Sequence, residues 1–246
     1  MSESSSVKLP EEQKLTECII LAGGLGTRLK EAVPELPKCL APVAGKPFLY
    51  HIIHQLQKQG IQHFIFSLGY KHEYITEFLQ LQFPNLDYSL SIETEPLGTG
   101  GAIQKAISFC HSENIAVMNG DTFFHVSLHP AFEFHFSNEA ACTLILKPMF
   151  DFDRYGAVQM NEHDRIIGFL EKQQFEKGLI NGGIYMLNKE KFSSIDFPEK
   201  FSFEKDYLEK QLDSSLIMGY IQNEYFIDIG IPEDFKKANL EISKFL

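Results

Sequence analysis

Short apolar runs that stop at glycine, each followed by a segment with apolar residues at helical spacing, recur through the first half of this chain and leave few folds open to it. Cys18 to Leu21 stops at Gly23-Gly24, as a buried parallel strand does. Phe48 to Leu56 reads as a helix ending near Gly60, and His63 to Leu68 as the next strand, stopped by Gly69. Tyr74 to Leu81 reads as a helix ended by Pro84, Tyr88 to Ile92 as a strand, Ala102 to Phe109 as a helix. Ile115 to Met118 is a strand that stops at Asn119-Gly120-Asp121. This rhythm predicts a mostly parallel sheet with helices on both faces. In such sheets ligands bind beyond the carboxyl ends of the strands, so the loops at Gly23, Gly69, Glu93 and Asn119 are expected on one functional edge.

The second half is less regular. Thr143 to Leu146 and Gly183 to Leu187 read as strands, and Ala157 to Met160 with Arg165 to Phe169 as a hairpin around Asn161 to Asp164. Phe226 to Ile229 is a short final strand, and Pro232 to Phe245 a closing helix with proline at its start. Residues 1–16 are expected to form a flexible tail and 17–246 a single domain, with a sugar-side lobe in about 150–225.

With 246 residues, 44% of them hydrophobic, the chain can bury a substantial core. A net charge of −11 argues against a nucleic-acid binder, although an acidic protein can still gather cations and helix N-termini around phosphates in one cleft. No apolar run is long enough to cross a bilayer, and Met1 to Leu15 lacks the apolar core of a signal peptide. Cys18, Cys39, Cys110 and Cys142 form no C-x-x-C pair, and the histidines form no H-E-x-x-H. A cytoplasmic, reduced protein with no membrane partner is expected, and association into a homo-oligomer stays open.

The first strand runs into Leu21-Ala22-Gly23-Gly24-Leu25-Gly26-Thr27-Arg28-Leu29. Glycines let a backbone approach phosphate oxygens and turn its N–H groups toward them. A dinucleotide fingerprint fails because Leu29 stands where the third glycine belongs, and a P-loop fails because Thr27-Arg28 replaces Gly-Lys-Ser/Thr. A tight structural turn is the plain alternative, and Arg28 directly after the glycines favours phosphate binding. Asp121 follows a strand and a glycine, where a carboxylate can hold Mg²⁺ or merely cap a turn. Asp228 lies between Ile227 and Ile229, an apolar setting in which a charge needs a partner or a metal.

Gly23-Gly24-Leu25-Gly26-Thr27-Arg28-Leu29 followed by Pro37-Lys38 resembles the signature of the sugar-1-phosphate nucleotidylyltransferases. The resemblance continues through Glu95 to Ala102, Asn119-Gly120-Asp121, Glu171-Lys172, Asn181-Gly182-Gly183 and Phe226 to Gly230. It implies an α/β fold of the Rossmann-like, three-layer α/β/α type with a mostly parallel mixed sheet. It also implies an enzyme that condenses a nucleoside triphosphate with a sugar 1-phosphate and releases pyrophosphate. Both reactants are anionic, so this chemistry asks for neutralisation and alignment rather than a covalent nucleophile.

By the resemblance, Arg28 grips the departing pyrophosphate, Lys38 sits beside the α-phosphate, and Asp121 and Asp228 share Mg²⁺. Leu21, Ala22, Gly23, Gly24, Gly26, Thr27, Glu95, Pro96, Gly98 and Thr99 are expected around the nucleotide. Asn119, Tyr155, Gly156, Glu171, Lys172, Asn181 and Gly182 are expected around the sugar phosphate. Cys39 stands where the family commonly has a second proline, which bears on the mobility of that loop. The sub-family stretches Ala41 to Leu49, Asn181 to Tyr185 and Phe226 to Asp234 resemble most the D-glycero-D-manno-heptose 1-phosphate guanylyltransferases. They imply GTP and a heptose 1-phosphate as substrates and GDP-heptose for surface glycans as product. Mannose-1-phosphate guanylyl transfer and uridylyl transfer to an amino-sugar phosphate are the alternatives. A non-catalytic sensor of nucleotide sugars is the rival from another class; it is expected to lack at least one of Arg28, Lys38, Asp121 and Asp228, and all are present.

Overall fold

The computed structural model describes residues 14–24 and 36–245. Its first half runs β1 (Glu17–Leu21), a 3₁₀ turn (Lys38–Leu40), β2 (Pro42–Val43), β3 (Lys46–Pro47), α1 (Phe48–Lys58), β4 (His63–Leu68), α2 (His72–Gln82), β5 (Asp87–Ile92), α3 (Gly98–Ile107), β6 (Asn114–Asn119) and β7 (Thr122–Phe124). There follow α4 (Leu128–Ser137), β8 (Cys142–Phe152), β9 (Ala157–Met160), β10 (Ile166–Leu170), β11 (Phe175–Asn188), α5 (Lys189–Ser193), a π-helix (Phe203–Glu209), β12 (Ile217–Ile221), β13 (Phe226–Asp228), α6 (Pro232–Glu241) and a closing 3₁₀ turn (Ile242–Phe245).

Nine strands form one mixed sheet. β6, β1, β4 and β5 lie side by side and parallel, joined by helical crossovers. The antiparallel β11 follows on β6, then β8 antiparallel to β11 and β12 parallel to β8. Successive side chains point to opposite faces of a strand, and here both faces are buried. Cys18, Ile20, Phe64 and Phe66 pack with α1, α2, α4 and α6, whereas Ile19, Ile65, Ile115 and Val117 pack with α3, α5 and the π-helix. That is the three-layer arrangement the sequence implies. The chain leaves β1 for β4 on one side and returns to β6 on the other, which opens a crevice at the carboxyl ends of β1 and β6.

Several elements differ from the sequence expectation. α3 begins at Gly98, not Ala102, so the glycine-rich segment is the first turn of the helix. Its glycines admit a neighbouring chain: a Cβ on Gly100 would lie 2.2 Å from the Phe201 ring, and one on Gly101 2.3 Å from the Glu199 carbonyl oxygen. β8 and β11 are far longer than expected and pair along most of their length. α4, β7 and β12 are additions. Just before β1, Leu15 is buried, and the Thr16 carbonyl accepts hydrogen bonds from the Gln62 and His63 amides. Residues 1–13 lie outside the described residues.

His135 on α4 is fully enclosed, with Nδ1 2.9 Å from Thr143 Oγ1 and Nε2 3.2 Å from Asn114 Oδ1. Burial, helped by the Lys191 charge, pushes its pKa down from 6.5 to about 4. Between those values the unfolded chain binds a proton that the folded chain does not, so this residue's contribution to stability is intact above pH 6.5 and is lost as pH falls toward 4. Urea titrations at pH 7 and pH 4.5 are expected to differ by about 2 kcal/mol more for the wild type than for His135→Gln. Equal pH dependence in both would show that His135 does not titrate in this way.

Candidate active site

Glycine contacts draw the strand ends together at the crevice. Gly23 and Gly69 meet back to back: a Cβ on Gly23 would stand 3.0 Å from the Gly69 nitrogen and 3.4 Å from Glu93 Oε1. Glu93 Oε2 accepts the Leu97 amide at 2.9 Å and so fixes the loop between β5 and α3. The Ala22 amide donates to the Ser67 carbonyl and the Gly120 amide to that of Leu21, each at 2.9 Å. The four loops expected on one edge are therefore on one edge. The sequence marks Glu93 only as the loop after β5; its role in holding the Leu97 amide depends on how that loop is folded.

Lys38, Asp121 and Asp228 converge beside this crevice. Pro37 precedes the tight turn that carries Lys38, with the Leu40 amide closing on the Pro37 carbonyl. Asp121 leaves β6, and β7 directly after it pairs antiparallel with β13, placing Asp228 opposite Thr122. The Ile229 amide donates to the Asp121 carbonyl at 3.1 Å, which fixes the spacing of the two aspartates. Lys38 Nζ lies 2.6 Å from Asp121 Oδ2 and 3.4 Å from Asp228 Oδ1. The Gly230 amide donates to Asp228 Oδ1 at 2.7 Å, and a Cβ at Gly230 would crowd Asp228 Oδ1 at 2.9 Å and Lys38 Nζ at 3.2 Å. Burial, and then the charge of Asp121, push the Asp228 pKa above its ordinary value.

Two carboxylates already share one cation, the lysine ammonium. Their hard oxygen donors suit a Mg²⁺ ion, so the residues present fit the metal expected there. Cys39 is buried beside them, and burial followed by the Asp121 charge pushes its thiol up to about 12, making it an inert filler.

Tyr155 belongs to this neighbourhood: its ring stands edge-on to Phe226 at 6.0 Å, and burial followed by the Asp228 charge raises its phenol pKa, keeping it protonated. The guanidinium of Arg154 lies 5.6 Å over that ring and pairs with Asp234 at 2.5 Å. Asn119 sits at the end of β6 next to Gly183.

Other expected site residues have partners within the chain. Thr99 Oγ1 donates to Glu204 Oε2 at 2.8 Å and accepts the Phe203 amide, and Gly98, with φ +74°, abuts the Phe201 carbonyl. Asn181 Oδ1 accepts the Gly183 amide and its Nδ2 donates to the Tyr185 hydroxyl, holding a bulge in β11, while Gly182 lies against the Phe124 ring. Gly156 passes close to the Leu170 carbonyl. Gly24, Glu95, Pro96, Glu171 and Lys172 are exposed. Gly26, Thr27 and Arg28 lie outside the described residues. A cavity of about 780 Å³ lined by Lys46, Tyr50, His54, Lys58, His125 and Phe245 contains none of Lys38, Asp121 and Asp228.

A glycine-walled crevice at the reversal of strand order, with an ammonium held between two carboxylates, is the equipment of an enzyme that handles phosphates. The chain belongs to the nucleotidyl transferase family, which it matches over residues 17–244. It is 49% identical over 230 residues to a D-glycero-alpha-D-manno-heptose 1-phosphate guanylyltransferase of Aneurinibacillus thermoaerophilus, covering 94% of this chain and 100% of that one. A Campylobacter jejuni protein of the same name is 46% identical, with 89% and 96% covered. The crystal structure of HddC from Yersinia pseudotuberculosis complexed with GMP-PN superposes with a TM-score of 0.83 at 37% identity, covering 93% of this chain and 100% of that one. No helix among the described residues is long and apolar enough to cross a membrane.

Proposed function

We propose that this chain transfers the guanylyl group of GTP to D-glycero-D-manno-heptose 1-phosphate, in the cytoplasm and with Mg²⁺, giving GDP-heptose for surface glycans. The observation that carries the reading is the 49% identity to a guanylyltransferase of that specificity along its whole length. A phosphate oxygen of the sugar attacks the α-phosphorus, the bond from that phosphorus to the bridging oxygen breaks, and pyrophosphate departs. Asp121 and Asp228 hold the Mg²⁺, which neutralises phosphate charge when bound. Lys38 meets the α-phosphate, and Arg28 the pyrophosphate.

The nucleotide lies along Leu21 to Gly24, Gly26 and Thr27, with its base near Glu95, Pro96, Gly98 and Thr99. Glycines at the end of β1 suit close backbone approach to that anion, and the N-terminus of α3 offers it a positive dipole end. The heptose phosphate lies against Asn119, Tyr155, Gly156, Glu171, Lys172, Asn181 and Gly182, in a lobe of about residues 150–225. The Tyr155 ring, edge-on to Phe226 on the strand that carries Asp228, supports this placement.

Pyrophosphate release over a matrix of four triphosphates and of heptose, mannose, glucose and N-acetylated sugar 1-phosphates tests the reading. GTP with the heptose is expected to give the highest kcat/KM, and chelation to abolish it. Pyrimidine triphosphates leave acceptors for the guanine edge unpaired, so they should fall about tenfold to a hundredfold behind. If UTP, CTP or dTTP beats GTP with every sugar, only the reaction class stands.

A further inference from the structure

At the amino end of β1, the opposite end from the crevice, Glu17, His63 and His111 bring one ligand atom each to within 4.8 Å of one another. Glu17 opens β1 and pairs in register with His63, which opens β4. His111 follows α3, and its exposed ring stacks on that of His63 with centroids 5.6 Å apart and planes at 24°. His63 Nδ1 faces Glu17 Oε1 at 2.8 Å. The outer atoms of the group are already tied: His63 Nε2 lies 3.0 Å from Ser89 Oγ, and Glu17 Oε2 accepts the amides of His111 at 2.9 Å and Ser112 at 2.5 Å.

Part of that pattern is the one metal ligands have: His63 gives its second nitrogen to Ser89, and the Glu17 carboxylate is fixed by donors behind it. A plain hydrogen-bonded tie between Glu17 and His63 accounts for those two residues. The His111 amide, which donates to Glu17 Oε1 at 3.1 Å and Oε2 at 2.9 Å, places that residue's backbone, and its imidazole is in addition turned so that a ring nitrogen lies within 4.8 Å of the other two ligand atoms. We propose that Glu17, His63 and His111 form a second metal site, for a zinc-type first-row transition dication, separate from the aspartate pair and not required for nucleotidyl transfer.

Two imidazoles and one carboxylate suit Zn²⁺, Co²⁺ or Ni²⁺, whereas Mg²⁺ prefers oxygen donors alone. Metal–ligand distances of about 2.0–2.2 Å set neighbouring tetrahedral ligands about 3.3 Å apart. His63 and Glu17 therefore separate by about half an ångström, and the exposed His111 ring turns inward. The metal takes the place of the proton between His63 Nδ1 and Glu17 Oε1, the proton leaves to solvent, and water completes the shell. Such an ion would clamp the starts of β1 and β4 to the loop before β6, and would act on stability.

The test uses the full, metal-stripped chain in excess Mg²⁺, titrated with Zn²⁺ by calorimetry and with Co²⁺ by visible absorption. One equivalent is expected to bind, and Tm to rise by about 5–10 °C at a hundredfold excess over Kd. His111→Ala is expected to lose at least about tenfold in affinity together with the Tm shift, and to keep its Mg²⁺-dependent turnover. Asp121→Asn is expected to bind Zn²⁺ like the wild type. Absence of Zn²⁺ binding, unchanged binding by His111→Ala, or its loss in Asp121→Asn would each overturn the proposal, the last by assigning the ion to the aspartate pair.

Discussion

Asp121→Asn is expected to lower kcat by roughly a thousandfold, about 4 kcal/mol of transition-state stabilisation, with Tm within a few degrees of the wild type. The substitution keeps the shape of the side chain and removes its charge. Asp121 is the nearer of the two partners of Lys38, at 2.6 Å against 3.4 Å for Asp228. Its charge also raises the Asp228 pKa, so the two carboxylates act as one unit. Losing half of that unit weakens the hold on a dication and turns Lys38 toward Asp228 alone. Pre-steady-state measurement of pyrophosphate release at saturating substrates and Mg²⁺ reads the chemical step directly. A variant within tenfold of the wild type would remove Asp121 from the proposed metal site.

Lys38→Ala should cost about a hundredfold in kcat, near 3 kcal/mol, with a smaller change in nucleotide Kd. The ammonium of Lys38 can either rest between the aspartates or turn to a phosphate. Only the second role stabilises charge that changes during transfer, and only that role lowers kcat more than binding. The first role would appear as lost stability, because two neighbouring carboxylates would be left without their counter-charge. Kinetics and thermal unfolding of the same variant separate the two. Unchanged kcat with a depressed Tm would make Lys38 an electrostatic spacer.

Legibility from sequence followed the length of the physical signal. β1, β4 and β6 are built around buried apolar runs and read to within a residue or two, whereas the half-buried β5, interrupted by Ser89 and Ser91, reads through its alternation of Tyr88, Leu90 and Ile92. β11 was read short because Asn181-Gly182-Gly183 resembles a turn. In the fold it is a bulge inside a long strand, held by the Asn181 side chain. α4 was missed because Pro130 and two histidines obscure its period. β7 and β13 are three residues each, and nothing local marks them as partners. Asp121 and Lys38 stood out through their motifs, and the direct contact between them could not be read, because it depends on how the turn after Pro37 is folded back. Gly98, Gly100 and Gly101 also serve packing, since the space a side chain would take at each is occupied in part by residues 199–201, a contact that nothing local in the sequence marks.

The ribbon of β7 and β13 also dictates when the carboxylate pair can come into being. Thr122 and Asp228 are paired across more than a hundred residues of chain, and the loop-closure cost of so distant a contact is met only after the intervening sheet has formed. During synthesis Lys38 and Asp121 emerge first, together with the parallel strands β1, β4, β5 and β6. Asp228 arrives when most of the chain has been made. A nascent or partly folded chain therefore carries Asp121 without its partner, and competence for catalysis becomes a late checkpoint of folding.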